Sequence, residues 1–104
     1  METVNQTNAK VFKAFCDENR LTILAMLCTG EKCACRLQEA LSIGQSTLSH
    51  HMRILCDSGV VRARRQGKWM FYAIDDAGRN RAAALLENYT AVQDRSAAVC
   101  CEET

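Results

Sequence analysis

The sequence predicts a mainly α domain with a small β-hairpin, ordered helix, helix, two short helices joined by a turn, hairpin, helix. Three observations lead there. Apolar residues recur at helical spacing from Thr7 to Gly59. The period then switches to alternation in "VVRARR" and "WMFYAI", which flank "QGK". After Asp75 and Asp76 it becomes helical again. A chain of 104 residues suits one domain. Residues 1–104 are therefore taken as one unit, with 95–104 a short tail carrying Cys100 and Cys101.

The first periodic segment, "TNAKVFKAFCDENRLTILAMLCTG", reads as two helices broken near Asp17, whose carboxylate can cap the second. Leu21, Leu24, Leu27 and Cys28 are expected on one face of that second helix, with Gly30 ending the run. "CRLQEALSI" follows as a short helix with Leu37, Ala40 and Leu41 turned inward. Ser42 to Gly44 form a turn, and "QSTLSHHMRILCDSG" makes the next helix, burying Leu48, Met52 and Leu55 and stopping at Gly59. "QGK" closes a β-hairpin through its glycine. In the last helix Ala83, Leu86, Tyr89 and Ala91 to Val92 are expected to form the apolar stripe.

Composition narrows the class further. With 48% apolar and 24% charged residues, the chain is not of the disordered type. Apolar runs such as "ILAMLC" fall far short of the ~20 residues a membrane span needs. "METVNQTNAK" lacks the basic and apolar regions of a signal peptide, so a cytoplasmic location and no membrane partner are expected. Seven cysteines, an odd number, then read as thiols open to a soft ion rather than as a disulfide framework. The net charge of +1 hides a local patch: "RARRQGK", residues 62–68, holds four basic groups and no acid.

Two short helices joined by a glycine-containing turn and followed by a basic hairpin form a winged helix-turn-helix pattern. The second helix must show short polar side chains to base edges in the major groove while its other face is buried. Gln45, Ser46, Thr47, Ser49, His50 and Arg53 meet the first demand. Arg62, Arg64, Arg65, Gln66 and Lys68 suit a wing lying on the phosphate backbone or in the minor groove. His51 is open to either reading, DNA contact or a buried, hydrogen-bonded place. Double-stranded operator DNA is thus the expected partner.

The motifs "DENRLTIL", "CACRL", "QSTLSHHMRILCDSGVV" and "RRQGKWMFYAI", in this order, resemble the ArsR/SmtB family of metal- and metalloid-responsive bacterial repressors, its arsenic-responsive branch in particular. The resemblance covers about residues 8–92. It implies a homodimer whose first and last helices pack across a twofold axis, and release from the operator when a metalloid binds.

Thiolates favour thiophilic ions over magnesium or calcium. Cys33 and Cys35 match the Cys-x-Cys of the family's arsenic sensors; the family motif adds a third cysteine three residues beyond the second, where this chain has Gln38. On a regular helix these two side chains would point about 200° apart, at roughly 3.6 residues per turn. Joining them on one ion would therefore require the helix start to unwind or tilt. Candidates for a third ligand are Cys28, a hydroxide or a small exogenous thiol, and the vicinal Cys100 and Cys101 form a second candidate metal site. Cys16, Cys28 and Cys56 occupy apolar helical positions and are read first as packing residues.

The expected inducer is trivalent arsenic as arsenite, with antimonite or a methylated or aryl trivalent arsenical as further members of the class. A cadmium- or lead-responsive repressor and a thiol-redox repressor use the same cysteines and stay open. Zinc is not expected at the last helix, because residues 79–99 contain no histidine. An enzyme is not expected either: no Cys-x-x-Cys opens a helix after a strand, and no cysteine sits in an anion-binding loop.

Overall fold

Most helices of the chain begin where a side chain takes up their free N–H groups. A computed structural model describes residues 1–94 and residue 96. Thr3 and Gln6 form a reciprocal capping box ahead of α1 (Val4–Lys13). Asp17 accepts from the Asn19 and Arg20 amides ahead of α2 (Glu18–Leu27), and Asp75 accepts from Gly78 ahead of α5 (Asp76–Thr90). The two helices between them, α3 (Ala34–Leu41) and α4 (Gln45–Asp57), start at Cys33 and Gly44 without a side-chain cap. Those uncapped starts belong to the helix-turn-helix.

The expected hairpin is β2 (Val61–Gln66) with β3 (Trp69–Ile74), turned through Gly67 at φ 62°. A strand that periodicity did not reveal joins it: β1 (Lys32–Cys33), between α2 and α3, pairs with β3 so that Lys32 faces Tyr72 and Cys33 faces Phe71. The result is a three-stranded antiparallel sheet in the order β1-β3-β2. Two residues are too few to show an alternating pattern, which is why this strand was invisible in the sequence.

Ile23, Leu27, Leu37, Leu48, Met52 and Leu55 lie at the centre of the core, so the buried side of α4 is as expected. Four other expectations about facing need correction. Leu21 is half exposed and Cys28 exposed, because α2 turns Ile23, Leu24 and Leu27 inward together with Arg20. Cys16 is exposed as well. Ala40 is exposed while Leu37 alone of its helix is fully buried. On α5 it is Ala82, with Leu85 partly buried, that meets the core; Ala83, Leu86 and Tyr89 remain exposed, and the helix ends at Thr90 with Ala91 extended, so Ala91 and Val92, also exposed, lie beyond it. Tyr89 packs edge-on against Phe12 of α1, and its hydroxyl contacts Asn5 and Asn8. The stripe is thus real but faces out of the single chain.

Arg20 is 7% exposed. It donates from Nε and Nη2 to the carbonyl of Lys13, at 3.3 and 3.0 Å, and from Nη1 to His51 Nδ1 at 3.0 Å. A guanidinium only donates, so Nδ1 must be the accepting nitrogen and the ring proton belongs on Nε2, 3.8 Å from Asp17 Oδ2. His51, left open by the sequence, is therefore a buried anchor on the back of α4. Burial pushes the Asp17 carboxyl up, but the Arg20 and Asn19 amides, with the Arg20 charge and the nearby His51 ring, outweigh it and hold the group below its ordinary value.

Two predictions follow from these contacts. A Cβ on Gly78 would fall 1.6 Å from the carbonyl oxygen of Gly59, itself at φ 84°, so Gly78→Ala is expected to destabilise the chain by about 1–3 kcal/mol in urea unfolding. Because folding depresses the Asp17 pKa, its contribution is present above the unfolded value and disappears as pH falls through the folded one. Asp17→Asn, which keeps a capping oxygen, should be less stable than the native chain at neutral pH, with the gap closing in acid; a gap constant with pH would contradict this.

Candidate nucleic-acid interface and thiol site

With Leu48, His51, Met52 and Leu55 buried, α4 presents Gln45, Ser46, Thr47, Ser49, His50 and Arg53 to solvent, all exposed. Its first turn carries no acid and its N-cap is Gly44, so the free amides there can receive a phosphate. Gln, Ser and Arg on one helix face have the donors and acceptors needed at base edges.

Strand alternation divides the basic wing. Arg65 points to the α4 side, where it and Lys68 line a cleft with Gln45 and Ser49. Arg62 and Arg64 are engaged elsewhere. Arg62 donates to the Ile74 carbonyl at 2.8 Å and lies 3.7 Å from Asp75. Arg64 forms a bidentate pair with Glu31, at 2.8 and 2.7 Å, donates to Gln66, and stacks 4.5 Å from the Phe71 ring centroid. Glu31 is a residue that sequence reading missed; its only signal was one acid just before the Cys-x-Cys. The Arg64 guanidinium holds the Glu31 carboxyl below its ordinary value against the effect of burial.

The thiols are not arranged as a regular helix would arrange them. Cys33 ends β1 and is the N-cap of α3, in extended conformation, so only Cys35 lies on the helix. Its side chain turns back over the first turn, and the two Sγ atoms lie 2.7 Å apart, both cysteines being free thiols. The expected need to unwind α3 before one ion can meet both is thereby removed. The Cys35 thiol and the Arg36 amide lower the Cys33 pKa, whereas the Cys33 sulfur and burial raise that of Cys35. The two thiols titrate as a pair, and the contact favours the state in which one of them has become a thiolate accepting from the other. Two thiolates on a tetrahedral ion at about 2.3 Å sit about 3.8 Å apart, a spacing that side-by-side thiols reach without unwinding the helix.

Cys35 also lines the cleft of 480 Å³ between α3, α4 and the wing, opposite Arg65, Lys68 and Trp69, with Gln38 in the same wall. Among the described residues no group of three His, Cys, Asp or Glu side chains converges, so Cys28, exposed at the end of α2, does not complete the pair. Cys56 is half-buried, and burial, followed by the charge of Asp57, pushes its thiol up. Cys100 and Cys101 lie outside the described residues. No helix among the described residues is long and apolar enough to cross a membrane.

The family model described as "Bacterial regulatory protein, arsR family" matches residues 17–63. An uncharacterised HTH-type transcriptional regulator of Methanocaldococcus jannaschii is 46% identical over 65% of this chain and 78% of its own length. The arsenical resistance operon repressor of Bacillus subtilis is 39% identical over 62% of this chain and 63% of its own length. A cadmium resistance regulatory protein CadC homolog of Staphylococcus aureus is 39% identical over 65% of this chain and 57% of its own length. The chain thus spans less than two thirds of the last two relatives. A homodimeric winged helix-turn-helix DNA-binding domain of Mycobacterium bovis, described as a possible ArsR-family regulator, superposes with a TM-score of 0.65 at 28% identity, over 88% of this chain and 90% of that one. From the fold, the matched segment and the extent of these likenesses, the chain belongs to the arsR family of bacterial regulatory proteins, as a winged helix-turn-helix transcriptional regulator and not an enzyme.

Proposed function

We propose that this protein is a metalloid-responsive repressor that binds operator DNA as a homodimer and is released when Cys33 and Cys35 take up a trivalent thiophilic ion, arsenite first, antimonite or a trivalent organoarsenical next. The observation that carries the reading is the side-by-side placing of the two sulfurs, with Cys35 in the wall of the cleft between α4 and the wing. Relatives named for arsenical and for cadmium resistance support a soft-ion inducer and leave arsenic and cadmium to be separated by experiment. Cys100 and Cys101 are kept as a proposed second ion site, separate from this one.

Homodimer formation is supported by the outward pair Leu86 and Tyr89 on α5, with Val92 just past its end and Val4 on α1, all at least half exposed in the single chain. An apolar row of this kind is stable in water when a second copy covers it. Gln45, Ser46, Thr47, Ser49, His50 and Arg53 are then the base and phosphate contacts of α4. Arg65 and Lys68 are those of the wing, and Arg62, Arg64 and Gln66 reach DNA only by leaving their internal partners.

Ion capture reaches the DNA-reading surface by a short route. Cys33 is hydrogen-bonded into the sheet opposite Phe71, and Glu31, two residues before it, holds Arg64 of the wing. Spreading the sulfurs moves both the start of α3 and this strap. The ordinary size of such a coupling is ~1–3 kcal/mol.

Mobility-shift titration tests the reading with arsenite, antimonite, phenylarsine oxide, cadmium, lead and zinc. Cys33→Ser with Cys35→Ser is expected to keep operator binding and lose release by arsenite; full inducibility of that double variant would overturn the assignment. Release by peroxide with no ion present, and none by arsenite, would favour the redox reading instead. Glu31→Gln is expected to retain ion uptake while the loaded form holds the operator more tightly than the loaded native chain does; identical release curves would show that the strap carries no coupling.

A further inference from the structure

A trivalent arsenic or antimony centre seeks three sulfurs, and the described residues bring only two together. The third position faces a space with a definite character. The cleft beside Cys35 has a volume of 480 Å³, enough for a molecule of tripeptide size, and its wall contains Arg65 and Lys68 but no carboxylate. Gln38 and Gln45 add amides, and Trp69 and Tyr72 add flat apolar surface. Neither cation has an ion-pair partner among the described residues. Two unpaired cations next to a dithiol suit an occupant that is both a thiol and an anion.

We propose that this cleft is a binding site for a low-molecular-weight thiol bearing carboxylates, which supplies the third sulfur to the ion held by Cys33 and Cys35 and sets its carboxylates against Arg65 and Lys68. The proposal rests on the reading of Cys33 and Cys35 as the sensor. Its balance is simple. Arsenite, As(OH)₃, exchanges three As–O bonds for three As–S bonds; each thiol proton leaves with a hydroxyl as water, so two protein thiols and one outside thiol release three waters. Arsenic stays trivalent and no electron is transferred. A hydroxide in the third position would not reach the two cations, and so would not draw them from the operator.

The consequence for DNA is direct. Gln45, Ser49, Arg65 and Lys68 line the cleft and are also among the groups proposed to meet the operator. An anionic thiol and a DNA phosphate cannot both occupy the same guanidinium and ammonium, so loading the cleft displaces DNA by competition as well as by movement of the wing.

Trp69, the one tryptophan of the chain, lies in the cleft wall and reports on it. The test follows its fluorescence as arsenite is added to the 104-residue chain carrying Cys100→Ser and Cys101→Ser, without DNA. Three conditions are compared: no added thiol, glutathione, and glutathione diethyl ester, whose sulfur is the same and whose carboxylates are masked. Glutathione is expected to lower the half-saturating arsenite concentration about tenfold relative to the ester, the worth of a charge-assisted contact. Arg65→Gln with Lys68→Gln should still bind arsenite but lose that difference. X-ray absorption should count three sulfurs per arsenic with glutathione present.

Equal curves with glutathione and its ester would overturn the proposal. So would three sulfurs per arsenic in the native chain with no thiol added, because the protein would then supply the third ligand itself. Cys33→Ser with Cys35→Ser separates this failure from failure of the sensor reading. If that variant keeps the full arsenite response, the sensor assignment falls and the proposal with it. If it loses the response while glutathione and its ester act alike, the sensor stands and only the anionic co-ligand falls.

Discussion

Two residues of strand, Lys32 and Cys33 laid against Tyr72 and Phe71, constrain everything that makes the thiol site unusual. They fix Cys33 in extended conformation, so α3 cannot begin before Ala34 and Cys33 becomes its N-cap. An N-cap side chain normally folds back over the first turn to satisfy amides. With sulfur in place of an oxygen, the same geometry brings the side chain onto that of the second helical residue, Cys35. The helix start also favours the thiolate, as it favours any anion. One backbone pairing therefore sets the closeness and orientation of the pair, and it does so on a strand that is hydrogen-bonded to the wing through β3.

The same sheet separates basic residues that are adjacent in sequence. Arg64 and Arg65 follow one another, yet pairing with Phe71 and Met70 sends them to opposite faces. Arg65 joins the reading side with Lys68, while Arg64 becomes an internal brace with Glu31 and the Phe71 ring. A run of charges is thus a poor guide to which charges meet a phosphate. The strand period and the partner across the sheet decide it.

Much of this was legible in the sequence, and what was not has definite causes. The buried row Leu48, Met52 and Leu55 follows helical spacing without interruption, and the alternation around "QGK" made the hairpin plain. The Asp17 cap and the glycine stop at Gly59 were readable from local chemistry. β1 was too short to carry a period, so the expectation that helical spacing would hold Cys33 and Cys35 apart went wrong with it. On α5 spacing found an apolar row but could not say what covers it, since outward apolar residues and core residues have the same period. Arg20 gave no signal at all: a buried arginine is rare, and its partners, the Lys13 carbonyl and His51, come from elements that only the fold brings together.

That arginine has a mechanical meaning. It clamps the back of α4, through His51, to the end of α1, through the carbonyl of Lys13. Both bonds converge on one planar group, which bends poorly and tolerates little shear. The reading helix is accordingly not a lever free to pivot on its turn. Any change in its pitch must either carry the end of α1 with it or break the bonds of Arg20.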